Sequence, residues 1–272
     1  MKRYRHYTKD KAIILSCFGS IVESEKYFEL KKYIEKEFEG IDIFLAFSSR
    51  MVIKLSQKKG MDFKNLPQVL ADVDMKGYKK IIISSINLFP TDEHEMVKKT
   101  AKGFSLFSLA NIRVSKAVFT KSKETTDFLI SLNKKLSKQD TANLFIIHGT
   151  PLLDIEGSNS ISYIENLLPK LNPLNFTCSL EGSNPFFALK EHLKEEFGRN
   201  SVKKVQIIPM LLVSGNHFVK DMVEIKNELA DEFETFIAPS LTKSDKFNLI
   251  QMQEIRDIIV SNIKEEIKKS GE

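Results

Sequence analysis

Short apolar runs that end in turn residues alternate with amphipathic helical segments along the chain, and this alternation restricts the fold more than any other feature. Residues 11–17, 41–47, 79–89 and 112–119 read as strands in the first half. Residues 144–147, 176–180, 203–213 and 236–241 read as strands in the second. A continuous apolar run of this length, bounded by turns, is the pattern of a parallel strand buried on both faces. Between the strands, Tyr27, Leu30, Ile34 and Phe38 recur at helical spacing before Gly40. Ser48 reads as the N-cap of the next helix, Pro67 opens another, and Asp92 and Glu93 sit in the first turn of a fourth. In the second half, helices are expected around Ile161, Ile164 and Leu168, then over 185–197, 218–229 and 247–267. Strands and helices in strict alternation predict an α/β protein with parallel sheets covered by helices on both faces.

The two halves also resemble each other. Ile14-Leu15-Ser16-Cys17-Phe18-Gly19-Ser20 aligns with Leu144-Phe145-Ile146-Ile147-His148-Gly149-Thr150. This register places Phe18 where the second half has His148, and Phe47 opposite Glu181. Two similar doubly wound, Rossmann-like domains facing across a cleft follow as the expectation. The polar run Ser137-Lys138-Gln139-Asp140-Thr141 reads as the linker, giving domains 1–138 and 139–272.

Chemistry concentrates at strand ends in the second half. His148 follows the run 144–147, Glu181 follows 176–180, and His217 follows 203–213 through Ser214-Gly215-Asn216. In an open parallel sheet the carboxyl ends of the strands form the edge where ligands bind. Two imidazoles and a carboxylate suit a borderline divalent ion, and three protein ligands leave positions open for substrate. The intervals between the three match no local metal-binding pattern, so the alternative that each is an ordinary turn residue stays open on spacing alone. His94 and His192 read as surface helix residues, His6 as part of a loose N-terminus, and Asp154 and Glu156 as loop polar groups.

Composition removes several classes. The net charge of +5 is spread over helix faces with no basic stripe interleaved with aromatics, which argues against nucleic acid but suits a polyanionic small substrate. No apolar run approaches the roughly 18 residues of a membrane span, and the basic start leads into no signal-like segment, so a cytoplasmic protein is expected. The two cysteines, Cys17 and Cys178, lie in strands and read as core residues. There is no Gly-x-Gly-x-x-Gly, P-loop or Gly-x-Ser-x-Gly to support nucleotide binding or a serine nucleophile.

Several stretches resemble the anaerobic cobalt chelatases of cobalamin synthesis, the CbiK type. They are Ser16-Cys17-Phe18-Gly19-Ser20, the run from Ala46 to Leu55, His148-Gly149-Thr150-Pro151, Glu181-Gly182, and Met210 through Met222. The resemblance runs in order from about residue 11 to 260. It implies a class II chelatase-like pair of domains enclosing a tetrapyrrole cleft, the first domain forming its wall and the second carrying the metal ligands. It also implies ATP-independent insertion of Co2+ into sirohydrochlorin or its reduced precursor, precorrin-2, with Ni2+ or Fe2+ as alternative ions and no nucleotide. Carried over, His148, Glu181 and His217 hold the ion, and His148 accepts a pyrrole proton. Phe18, Gly19, Ser20 and Phe47 lie against the ring, and Arg50 anchors its carboxylates. No membrane or nucleic-acid partner is implied, and a homo-oligomer is left open. The chain departs from the family in carrying Asn87 where histidine is usual and Asn216 where aspartate is usual. It is also shorter after Met222 and lacks tryptophan. A metal or haem carrier without turnover and a metal-dependent hydrolase are the rival readings.

Overall fold

A computed structural model describes residues 5–215, 220–242 and 246–271. The chain forms two compact units, residues 1–120 with 253–272, and residues 121–252.

In the first unit, β1 (Lys9–Cys17), β2 (Asp42–Phe47), β3 (Tyr78–Ile86) and β4 (Asn111–Val114) make a parallel sheet in the order β2-β1-β3-β4. Successive side chains of a strand point to opposite faces, and here both sets are apolar. Ala12, Ile14, Ile81 and Ile83 pack against Leu66, Leu70 and Val73 of α3 (Leu66–Met75) and Val97 of α4 (Asp92–Phe104). Ile13, Leu15 and Ile82 are equally buried. On this unit α1 (Glu25–Glu37) packs along β2, and α9 (Gln253–Lys269) along β3. A short α2 (Arg50–Lys58) follows β2.

The second unit repeats the plan. β5 (Thr141–Gly149), β6 (Asn175–Glu181), β7 (Lys204–Met210) and β8 (Glu234–Ile237) form a parallel sheet in the order β6-β5-β7-β8. Ala142, Leu144 and Ile146 pack with Leu193 and Phe197 of α7 (Phe186–Arg199) and Met222, Ile225 and Leu229 of α8 (Asp221–Leu229). α5 (Ser122–Leu136) and α6 (Gly157–Leu171) pack against each other, and α6 lies on β6. Matching strand orders account for the local likeness of the halves and give each sheet the same reversal of winding beside its first strand. That is where doubly wound sheets bind ligands.

The division of the chain differs from the boundary expected at 138/139 in the placement of two helices. The chain passes between units at Thr120–Lys121 and again at Met252–Gln253. The polar run at 137–141 is a tight connection inside the second unit. There Asn175 Nδ2 donates to Asn133 Oδ1 at 2.8 Å, and Asn172 Nδ2 donates to Ser137 Oγ at 3.2 Å. The last helix belongs to the first unit because its apolar stripe, Ile255, Ile259 and Ile263, is fully or almost fully buried there. Arg113 Nε also donates to the buried Glu266 at 2.9 Å.

Smaller differences follow from hydrogen-bond partners. β3 and β7 end three residues earlier than expected, at Ile86 and Met210. β4 and β8 stop at Val114 and Ile237, short of 119 and 241. Residues 247–267 are not one helix: extended backbone at Met252 separates a short 3-10 turn, Leu249–Gln251, from α9. That turn is anchored instead by Leu249 N and Ile250 N, which donate to the carbonyls of Leu211 and Leu212 just beyond β7. Ser49, not Ser48, caps α2: its side chain accepts from Val52 N at 3.3 Å, whereas Ser48 N is bonded to Cys17 O.

Candidate metal-ligand edge

β5 runs apolar and buried up to Ile147 and then delivers His148, which is half-buried, at the carboxyl end of the sheet. Its Nδ1 lies 3.4 Å from the carbonyl oxygen of Gly149. β6 ends on Glu181, which is exposed and pairs in register with Gly149. Two glycines make this junction. Gly149 has φ +81°, and a Cβ there would lie 1.7 Å from the carbonyl oxygen of Glu181. Gly182 has φ +87°, and a Cβ there would lie 2.1 Å from the carbonyl oxygen of Thr150. No side chain fits either gap, so the backbones of the two strand ends touch directly. His148 and Glu181 thereby stand at adjoining strand ends, one register position apart.

The third expected ligand, His217, and its neighbour Asn216 lie outside the described residues. The chain leading to them is held firmly: buried Ser214 donates through N to Asn248 Oδ1 at 2.6 Å and through Oγ to Phe247 O at 3.1 Å. Among the described residues no group of three His, Cys, Asp or Glu side chains is placed to hold a metal ion. The structure thus places two of the three expected residues at the ends of neighbouring strands.

The equivalent edge of the first unit holds the remaining expected residues in contrasting settings. Phe18 is 44% exposed at the end of β1. Gly19 is buried against Val52 and Phe47. Ser20 is buried, its Oγ accepting from Val22 N and Glu23 N at 3.1 and 3.2 Å. Arg50 is exposed at the start of α2. Phe47 is only 2% exposed: it stacks on Phe63 at 4.2 Å, meets Tyr27 edge-on, and lines a cavity of about 640 Å³ with Phe28, Phe44 and Phe63. Sheet register also corrects the expected equivalence. Cys17 pairs with Phe47 and its counterpart Ile147 pairs with Ser179, so Phe47 corresponds to Ser179 rather than to Glu181.

His94 is the residue that the sequence reading misplaced. It is 6% exposed, not on the surface, and its Nδ1 sits 2.8 Å from Ser85 Oγ, which also accepts from Asn87 Nδ2 at 2.9 Å. The signal was present in the spacing, since His94, Val97 and Ala101 form the buried stripe of α4. His192 is exposed on α7. Cys17 and Cys178 are fully buried, and burial pushes both thiols well above their ordinary value, so neither is a ready thiolate.

Comparison with known proteins agrees with this architecture. The sequence matches the cobalt chelatase (CbiK) family over residues 11–268. A sirohydrochlorin cobaltochelatase of Salmonella typhimurium is 23% identical over 185 residues, which cover 66% of this chain and 67% of that protein. Among solved structures, SirB from Bacillus subtilis with Fe3+ superposes with a TM-score of 0.67 at 13% identity, covering 96% of this chain and 97% of its own. CbiX, described as the terminal enzyme for biosynthesis of siroheme in denitrifying bacteria, gives a TM-score of 0.56 at 7% identity, covering 94% and 99%. The paired four-stranded sheets are the fold of these chelatases. With the family match spanning both units, the chain belongs to the cobalt chelatase (CbiK) family.

Proposed function

We propose that this protein is a sirohydrochlorin cobaltochelatase, inserting Co2+ into sirohydrochlorin or its reduced precursor in the cytoplasm without ATP. The observation that carries this reading is the glycine-locked junction from which His148 and Glu181 emerge, in a chain matched to the cobalt chelatases over 11–268. His148, Glu181 and His217 present the incoming ion, leaving coordination positions into which ring nitrogens enter. A neutral imidazole binds metal or takes a proton near neutral pH, so His148 is the group assigned to remove a pyrrole proton as the ion leaves it. The exposed Phe18 offers an apolar contact, and Arg50 a cation for the ring's carboxylates. Phe47 acts from beneath, by supporting Gly19.

Nickel or iron insertion into the same ring is the second reading, because an imidazole–carboxylate set does not discriminate among these ions. The test is anaerobic incubation of purified protein with sirohydrochlorin and each of Co2+, Ni2+ and Fe2+, followed by visible spectroscopy against a no-protein control. Many turnovers with Co2+ above the control are expected. Tight one-to-one binding without turnover would replace the enzyme by a carrier.

A further inference from the structure

A row of amide side chains crosses the sheet of the second unit. Asn175, Asn143 and Gln206 are register partners on β6, β5 and β7, so their side chains share one face. Each is at most 1% exposed. The row lies toward the amino ends of the strands, opposite the edge that carries His148 and Glu181. Hydrogen bonds fix its orientation from one end. Asn175 Nδ2 donates to the main-chain carbonyl of Leu168 on α6 at 2.9 Å and to Asn133 Oδ1 on α5 at 2.8 Å. A carbonyl oxygen only accepts, so the Asn175 nitrogen is assigned and Asn175 Oδ1 is an acceptor. It takes a bond from Asn143 Nδ2 at 2.9 Å, which makes the other end of that amide, Asn143 Oδ1, an acceptor as well.

Between β5 and β7 the row is interrupted. Asn143 Oδ1, Gln206 Oε1 and Gln206 Nε2 are all buried with no hydrogen-bond partner among the described residues. On its other side Gln206 pairs in register with Phe236, whose side chain carries neither donor nor acceptor. A core amide without partners is costly, and an apolar side chain of the same shape would avoid that cost. We propose that Gln206 and Asn143 hold one buried water molecule between β5 and β7. Two acceptors and one donor on neighbouring strands complement a single water, which gives both its hydrogens and accepts once. About three such bonds are typical of a buried water. The water joins β7 to the relay that runs through Asn143 and Asn175 to α5 and α6.

The test uses the full chain labelled with 15N, and solvent water is the probe. The Gln206 side-chain amide is assigned through its own backbone, so the reading does not depend on any variant folding. Its hydrogens are expected to show a nuclear Overhauser effect to water with the sign of a long-lived, bound molecule. Gln206→Met, close in volume and without the amide, is expected to melt at a lower temperature because Asn143 Oδ1 and the water lose their partner. In an Asn143→Leu background the same replacement should cost less, since the water has already lost one bond. Absence of the water signal at the Gln206 amide would overturn the proposal, as would an effect to Asn143 alone, which means direct pairing of the two amides. Gln206→Met melting at or above the wild-type temperature would overturn it too, because removing an unbonded amide relieves the core.

Discussion

At the residue scale, the histidines sit in contrasting settings. His148 is half-buried at a strand end with no core to fill. His148→Ala should abolish metal insertion and leave the circular dichroism spectrum and melting temperature nearly unchanged, whereas exposed His192→Ala should alter neither. His94 behaves differently because it is buried and bonded to Ser85. Removing one partner of a buried hydrogen bond costs about 1–3 kcal/mol, so His94→Ala should lower the midpoint of urea unfolding by a corresponding amount. Gly149→Ala should be worse than either. A left-handed backbone at a non-glycine residue costs on the order of 1–3 kcal/mol, and the added methyl would also overlap Glu181 O. Loss of stability and of Co2+ affinity together, read by thermal unfolding and titration, is the expected result.

At the element scale, the residues assigned to metal binding under the proposed function stand at strand-to-turn junctions. Glu165 of α6 is a half-buried carboxyl on the helix that lies on β6. Its folded-state value lies above the ordinary 4.5. The folded protein therefore holds this proton to higher pH than the unfolded chain does. Stability from that difference is fully present below the ordinary value and is lost as pH rises through the folded one. Glu165→Gln lacks this dependence, so its stability relative to wild type should increase as pH is raised from 5 to 8 in urea unfolding experiments. A constant difference across that range would mean that Glu165 is ionised alike in both states. The element boundaries that the sequence misplaced share one cause. β3 and β7 stop where the chain beyond them bonds to turns rather than strands: Val118 N and Phe119 N donate to the carbonyls of Asn87 and Leu88, and Leu249 N and Ile250 N to those of Leu211 and Leu212. β4 and β8 each add one more bond, from Ser115 N to Ile83 O and from Ala238 N to Ile207 O, before they end.

At the scale of the whole molecule, the last helix closes the first unit. Ile255, Ile259 and Ile263 are buried in it, and full burial of such side chains contributes about 1.5–3 kcal/mol each. Their sum, roughly 5–9 kcal/mol, is comparable with the total stability of an ordinary domain. A fragment of residues 1–138, the domain expected from sequence, should therefore be unfolded or aggregated by circular dichroism and size exclusion. Residues 1–120 joined by a short linker to 253–271 should show cooperative thermal unfolding. A stably folded 1–138 fragment would contradict this account of the helix. None of the described helices is long and apolar enough to cross a membrane.

Sequence periodicity alone determined the β-α alternation, the parallel strands buried on both faces, the likeness of the halves, and the positions of His148 and Glu181 at strand ends. These depend on local apolar pattern and turn residues, which are written along the chain. Tertiary structure decided which helix closes which unit, that His94 is buried and that Phe47 sits in an aromatic cluster. It also decided that Gly149 and Glu181 pair at one glycine-built junction. Each of these depends on contacts between residues far apart in sequence, such as Arg113 with Glu266 or Gly149 with Glu181. Spacing along the chain carries no record of which of the possible partners the packed sheets bring together.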